Sequence, residues 1–405
     1  MKYRKYDHKK DKKAVFRIWN EVGWASKEDS YSFKTFIPKS RAIVSEVNGE
    51  AECLVLSDIG DYFYDGAKLK FSAITGVTTS FVARKQKLAL KLTAKKIALD
   101  AIDGAEVTGL GIFDQGFYNL LGYGNGSYEH FMTFVPSSLK IQRDIPAPER
   151  IGLKQAKEIY KLKVKRYKVH GSVNLSEHCS SGDIHENKGF QGYGFRDKNE
   201  DISHMILLFG KGNEHGPFRL NLLYQNYDQF LDLLALIKSF GDQIYLCKIT
   251  EPAGIQFQDF LDKPFKYRGI SEKGKYENKL TATSWWQMRI SNLENCISKT
   301  KAITNVKFNL NLNDPISKYL EDKSKWKGIS GDYIISLGKR SSAKKGFDKN
   351  LMTMEAGVGA FSRLWSGGLK ATELSFSDEL KAPKKLLSQL DKAICLPKPH
   401  FDWEF

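Results

Sequence analysis

Apolar positions in the first third of the chain change period twice. Residues 71–79 (FSAITGVTT) form a β-branched run bounded by polar residues, which predicts a buried strand with a bulge at Gly76. From Lys85 to Ile102 the period lengthens: Leu90, Ala94, Ile97 and Ala101 fall at i, i+4, i+7 and i+11, one face of a helix. Residues 106–112 then read as a second strand. Strand, helix and strand in close order predict a βαβ unit with a parallel pair at its centre.

The same alternation recurs more loosely after the linker Ile145-Pro146-Ala147-Pro148. Residues 205–210 and 218–224 read as paired strands, followed by a helix that buries Phe230, Leu233, Leu234 and Ile237, and by a strand over 243–250. A third block opens at Trp285-Trp286-Gln287-Met288-Arg289-Ile290. It carries short strands over 306–312, 332–337 and 351–357 and a helix with Leu386, Leu387, Leu390, Ala393 and Ile394 on one face. The chain ends His400-Phe401-Asp402-Trp403-Glu404-Phe405. Three aromatics in five residues predict a tail docked into the protein rather than frayed.

Composition adds bounds. At 405 residues, 41% hydrophobic and 27% charged, the chain has the balance of a globular protein of two or three domains. No apolar run approaches the ~18 residues of a membrane span. The first residues are charged and carry no secretory pattern, so the expectation is a cytoplasmic protein with no membrane partner. Five widely spaced cysteines, an odd number without a CxxC pair, fit reduced thiols. His178-Cys179 with His185 is the one cluster with a hint of ligand spacing, and no metal is expected from it. Lys and Arg total 63 against 47 Asp and Glu, a net charge of +16 that invites an anionic partner. One basic run, seven basic and one acidic residue over 154–168, has few aromatics and reads as a solvated helix face, so nucleic acid is not expected.

The chemistry concentrates between residues 74 and 124. A bulged strand leaves backbone groups unpaired, and the start of the helix after it offers free N–H groups to a phosphate. Arg84, Lys85 and Lys87 add charge there; the alternative is a basic amphipathic helix with no ligand. Further on stands Phe117-Tyr118-Asn119-Leu120-Leu121-Gly122-Tyr123.

Arg84-x-x-Lys87-x-Ala89 followed by Phe117-Tyr118-x-x-x-Gly122-Tyr123 resembles the GNAT superfamily of N-acetyltransferases, and the whole-chain pattern resembles its enhanced intracellular survival (Eis) family. The resemblance implies an α+β chain: a catalytic GNAT domain over 1–140, a degenerate GNAT-like mixed-sheet domain over 141–285, and a sterol carrier protein-like domain over 286–405. It implies acetyl-CoA as co-substrate, held by Val77, Thr78 and Thr79 and by Arg84, Lys85, Gln86, Lys87, Leu88 and Ala89. Lys87 stands where the family has glycine. Tyr118 is implied as general acid and the terminal carboxylate of Phe405 as base, while Trp24, Glu28, Asp29 and Glu404 are candidates to line the pocket for a primary amine of aminoglycoside, polyamine or lysine type. Glu28 and Asp29 read equally well as ordinary surface charges. A homo-oligomer, often a hexamer, is implied as well. The competing reading is a non-catalytic protein with a lost cofactor site and a lipid-binding C-terminal domain.

Overall fold

The computed structural model describes residues 2–404 apart from 113, 188, 211–212 and 265–277. The chain forms two units, one of residues 1–127, 169–179 and 284–405, the other of 128–168 and 180–283. Three mixed sheets with helices against them make it an α+β protein, as the resemblance implies.

The first unit holds an eight-stranded sheet whose centre is Glu50–Tyr64, Ala67–Thr79, Val107–Gly111 and Trp286–Ile290. Ala67–Thr79 runs parallel to Val107–Gly111 through the helix Leu88–Ile102, the predicted βαβ unit. Period-2 alternation decides what each face buries. Cys53, Val55, Ile74 and Leu110 pack with Leu88, Leu92, Ala94 and Ile97 of that helix. Leu54 and Leu56 face the other way, onto Val15, Ile18 and Trp19 of the helix His8–Glu21 and onto Phe33 and Ile37.

The helix begins at Leu88 rather than Lys85, because Lys85 and Lys87 adopt left-handed φ angles of 62° and 59° that no right-handed helix admits. Trp286–Ile290, which the sequence places at the head of the third block, pairs antiparallel with Val107–Gly111 in this sheet. The unit's second sheet has five strands, with Val306–Asn313 between Gly331–Leu337 and Thr353–Gly357. The helix Lys384–Ala393 buries Leu386, Leu387 and Leu390. An apolar cavity lined by Phe308, Ile335, Phe361, Trp365 and Leu390 among others measures about 10 Å³, the space of one water-sized sphere.

The tail is docked. Phe401 is 1% exposed and stacks on Trp286 with ring centres 4.0 Å apart and planes 3° from parallel. Gly109 makes the room: a Cβ there would lie 2.8 Å from the Phe401 ring and 2.6 Å from Phe71. Asp402 accepts hydrogen bonds from the Ser172 hydroxyl at 2.8 Å and from the Val173 N–H at 3.0 Å.

The second unit holds a seven-stranded sheet. Ile202–Phe209 and Phe218–Leu223 are antiparallel neighbours, and Cys247–Thr250 follows in parallel after the helix Tyr227–Ser239. That helix buries Phe230, Leu233, Leu234 and Ile237. Glu129–Phe134, which lies before residue 140, also belongs to this sheet, paired with Cys247–Thr250.

Candidate active site

The parallel pair at the centre of the first sheet separates at one end. Phe71 to Ile74 pair with Val107 to Leu110, and there the parallel pairing ends; beyond it, among the described residues, Thr75, Thr78 and Thr79 pair with Glu50–Tyr64 on the opposite edge. One edge of residues 75–79 therefore faces the gap between the strands with its backbone groups outside the ladder.

The cause is the predicted bulge. Leu54 pairs with Thr78 and Leu56 with Thr75, so the strand carries one residue more than its neighbour at this point. Gly76 sits there at φ 60°, and a Cβ on it would lie 2.6 Å from Leu56. Thr78 is held from the side by Trp19, whose indole N–H donates to its hydroxyl at 3.2 Å. Val77 is half-buried against the helix-side core, and the Thr79 hydroxyl donates to Cys53 Sγ at 3.2 Å.

The segment between this strand and the helix carries the predicted anion site. Arg84, Lys85, Gln86 and Lys87 are all exposed, whereas Leu88 is buried and Ala89 half-buried. No side chain caps the helix start, and the first intrahelical bond runs from the Lys91 N–H to the Lys87 carbonyl. The leading N–H groups are thus open to an anion, at the positive end of a helix of 15 residues. Ser80 adds a fully buried hydroxyl that has no hydrogen-bond partner among the described residues.

Tyr118 opens the one-turn helix Tyr118–Leu121 and is 7% exposed in the same core cluster as Ile74 and Leu110. Burial, with the charge of Asp114 adding to it, pushes its phenol up to about 12. Several bonds fasten this turn. Asn119 accepts from the Gly116 N–H at 3.0 Å and donates to the Tyr123 carbonyl at 2.9 Å. Arg289 donates to the Leu121 carbonyl and forms a two-pronged pair with Asp314, both side chains having no exposure. Gly122 at φ 79° is needed here, since a Cβ would lie 2.3 Å from Val358. Trp19, Asn119, Arg289 and Asp314 were not among the sequence candidates; the Trp-Trp-x-Met-Arg-Ile segment was the signal for Arg289.

The acceptor candidates are more scattered. Trp24 is 45% exposed and meets Trp19 edge-on at 5.7 Å, which ties it to the bulge through Thr78. Glu28 pairs with Lys12 at 3.6 Å and Asp29 with Lys34 at 3.5 Å. Glu404 is exposed, and Phe405 lies outside the described residues.

No family model matches the chain, and no curated protein matches it by sequence. Solved structures match it over its whole length. A probable N-acyltransferase from Enterococcus faecalis V583 superposes with a TM-score of 0.80 at 14% identity, covering 100% of this chain and 99% of that one. A GCN5-related N-acetyltransferase from Anabaena variabilis gives 0.78 at 13% identity, and Eis1 from Mycobacterium abscessus 0.78 at 12%, each covering 100% of both chains. From end to end, the chain has the fold of the GCN5-related N-acetyltransferases and of Eis1.

Proposed function

We propose that the chain is an acetyl-CoA-dependent N-acetyltransferase that moves acetyl directly onto a primary amine of aminoglycoside, polyamine or lysine type. The observation that carries this reading is the parting of the two central strands beside an uncapped, basic helix start. The unpaired edge at Val77, Thr78 and Thr79 fits an extended amide-bearing arm. The N–H groups and cations from Arg84 to Ala89 fit its diphosphate. Bound there, acetyl-CoA would supply an activated thioester.

The chain's own groups then handle protons. Tyr118 keeps its phenolic proton at neutral pH, since burial holds its pKa at about 12, and it serves as the acid for a departing thiolate. An ammonium must lose a proton before it can attack, and the terminal carboxylate of Phe405 is assigned to orient the amine and accept that proton through water. Trp24 forms an aromatic wall beside the bulge, and Glu28, Asp29 and Glu404 supply negative charge on the acceptor side. The second unit is a degenerate GNAT-like domain without a cofactor segment, residues 286–405 include a sterol carrier protein-like part, and the protein assembles as a homo-oligomer.

The test is a calorimetric titration of acetyl-CoA into protein with a native, untagged C-terminus. One-site micromolar binding, followed by amine-dependent thiol release, is the expected result. Absence of binding would overturn the proposal.

A further inference from the structure

We propose that Asp58, His178 and Cys179 form a site for one zinc-class divalent cation with an open fourth position. The site lies on the sheet face opposite the helix Leu88–Ile102, and the proposal is independent of acetyl transfer. Asp58 is on the strand Glu50–Tyr64, on the same side as Leu54 and Leu56 by alternation. His178 and Cys179 lie in the first turn of the helix Glu177–Glu186. They reach Asp58 because the chain before them runs antiparallel alongside the strand, Val173 and Asn174 pairing with Tyr62 and Asp61.

Three observations converge. The first is geometry. Cys179 Sγ is 3.2 Å from Asp58 Oδ2, His178 Nε2 is 3.8 Å from Asp58 Oδ1, and one donor atom from each residue lies within 4.8 Å of the other two. Bonds of about 2.0–2.3 Å to a tetrahedral zinc ion require donor separations of roughly 3.4–3.6 Å, so the 3.2 Å and 3.8 Å separations need shifts of a few tenths of an ångström and the widest one a side-chain adjustment of up to about 1 Å.

The second is charge. Asp58 is 6% exposed, and among the described residues no lysine or arginine nitrogen lies within 4.0 Å of it. Buried carboxylates are normally paired or bound to a metal. A divalent cation, one carboxylate and one thiolate sum to zero; the Cys179 thiol gives its proton to solvent as the cation enters.

The third is the surrounding support. Ser176 Oγ lies 2.7 Å from His178 Nδ1 and the Ser176 N–H donates to Asp58 Oδ2 at 2.9 Å, orienting both side chains as outer partners of ligands do. Ser40 Oγ and Ser176 Oγ each lie 3.3 Å from His178 Nε2. His185, grouped with this pair in the sequence, is exposed and outside the cluster.

The experiment is cobalt titration followed by absorption spectroscopy on the full chain, in a Cys395→Ser background that removes the exposed thiol. One equivalent should bind, with a thiolate-to-cobalt charge-transfer band that zinc abolishes by displacement. Cys179→Ser should remove that band, and Asp58→Asn should weaken binding about tenfold or more. Circular dichroism checks that both variants fold. In the unmutated protein, which needs no variant, zinc should raise the melting midpoint by a few degrees and a chelator should reverse it. Folded protein that binds neither ion at tens of micromolar, or a band that survives Cys179→Ser, would overturn the site.

Discussion

Lys87 tests the cofactor loop most sharply, because its backbone and its charge make separable predictions. The residue caps the helix Leu88–Ile102 at φ 59° and ψ 23°, with an exposed side chain. At a positive φ, alanine is less stable than glycine by about 1 kcal/mol even after glycine's greater freedom in the unfolded chain is counted. Removing the positive charge from a helix N-terminus returns a further few tenths of a kcal/mol in either variant. Lys87→Gly should therefore melt roughly 2 °C above Lys87→Ala, at about 2–4 °C per kcal/mol for a unit of this size. Ligand binding separates differently. If the ammonium helps hold a diphosphate, both variants lose up to about 1 kcal/mol, roughly a fivefold rise in Kd for acetyl-CoA at low salt. High salt should shrink that difference. Differential scanning calorimetry and isothermal titration would measure the two effects. Equal melting of the variants would refute the strain argument, and tighter binding in both would show that the side chain obstructs the anion.

Tyr118→Phe should lower kcat by about 10² to 10⁴ with little change in acetyl-CoA affinity; an unchanged rate would leave Tyr118 a packing residue. Because burial raises its pKa from 10 to about 12, Tyr118 stabilises the fold fully below pH 10. That contribution is lost as the pH climbs towards 12, which alkaline unfolding of the two proteins would compare. Deleting Phe405 should abolish turnover and spare cofactor binding, measured by thiol release and titration. Arg289→Met leaves the Asp314 carboxylate, which keeps the Ile316 and Ile329 N–H groups, without its charge partner in a site of no exposure and should cost about 3–5 kcal/mol in urea unfolding, with Asp314→Leu in the same chain recovering much of it; a loss below about 1 kcal/mol would contradict this. Glu46 is held down to about 2 by hydrogen bonds from Lys10 and Arg4, so its contribution is present above about pH 4.5 and lost as pH falls towards 2. Glu46→Gln should flatten stability over that acid window.

What was legible in the sequence is what local chemistry determines. Gly76 interrupts a β-branched run, and a bulge with positive φ stands there. Phe117-Tyr118-x-x-x-Gly122 marks a turn whose glycine is left-handed, and Tyr118 lies in it beside the core. The helix start was misplaced by three residues because left-handed lysines carry none of the usual boundary signals. Pairing between the blocks was not legible. Nothing near residue 286 reports that Trp286–Ile290 joins the edge of Val107–Gly111, yet that pairing carries Arg289 to the Leu121 carbonyl and Trp286 beneath Phe401. Asp58 illustrates the same limit. In sequence it is one acidic residue, and only the antiparallel pairing of Val173 and Asn174 beside its strand brings a thiol and an imidazole to its buried carboxylate. Local pattern marked the groups capable of chemistry, and distant strand order decided which of them meet.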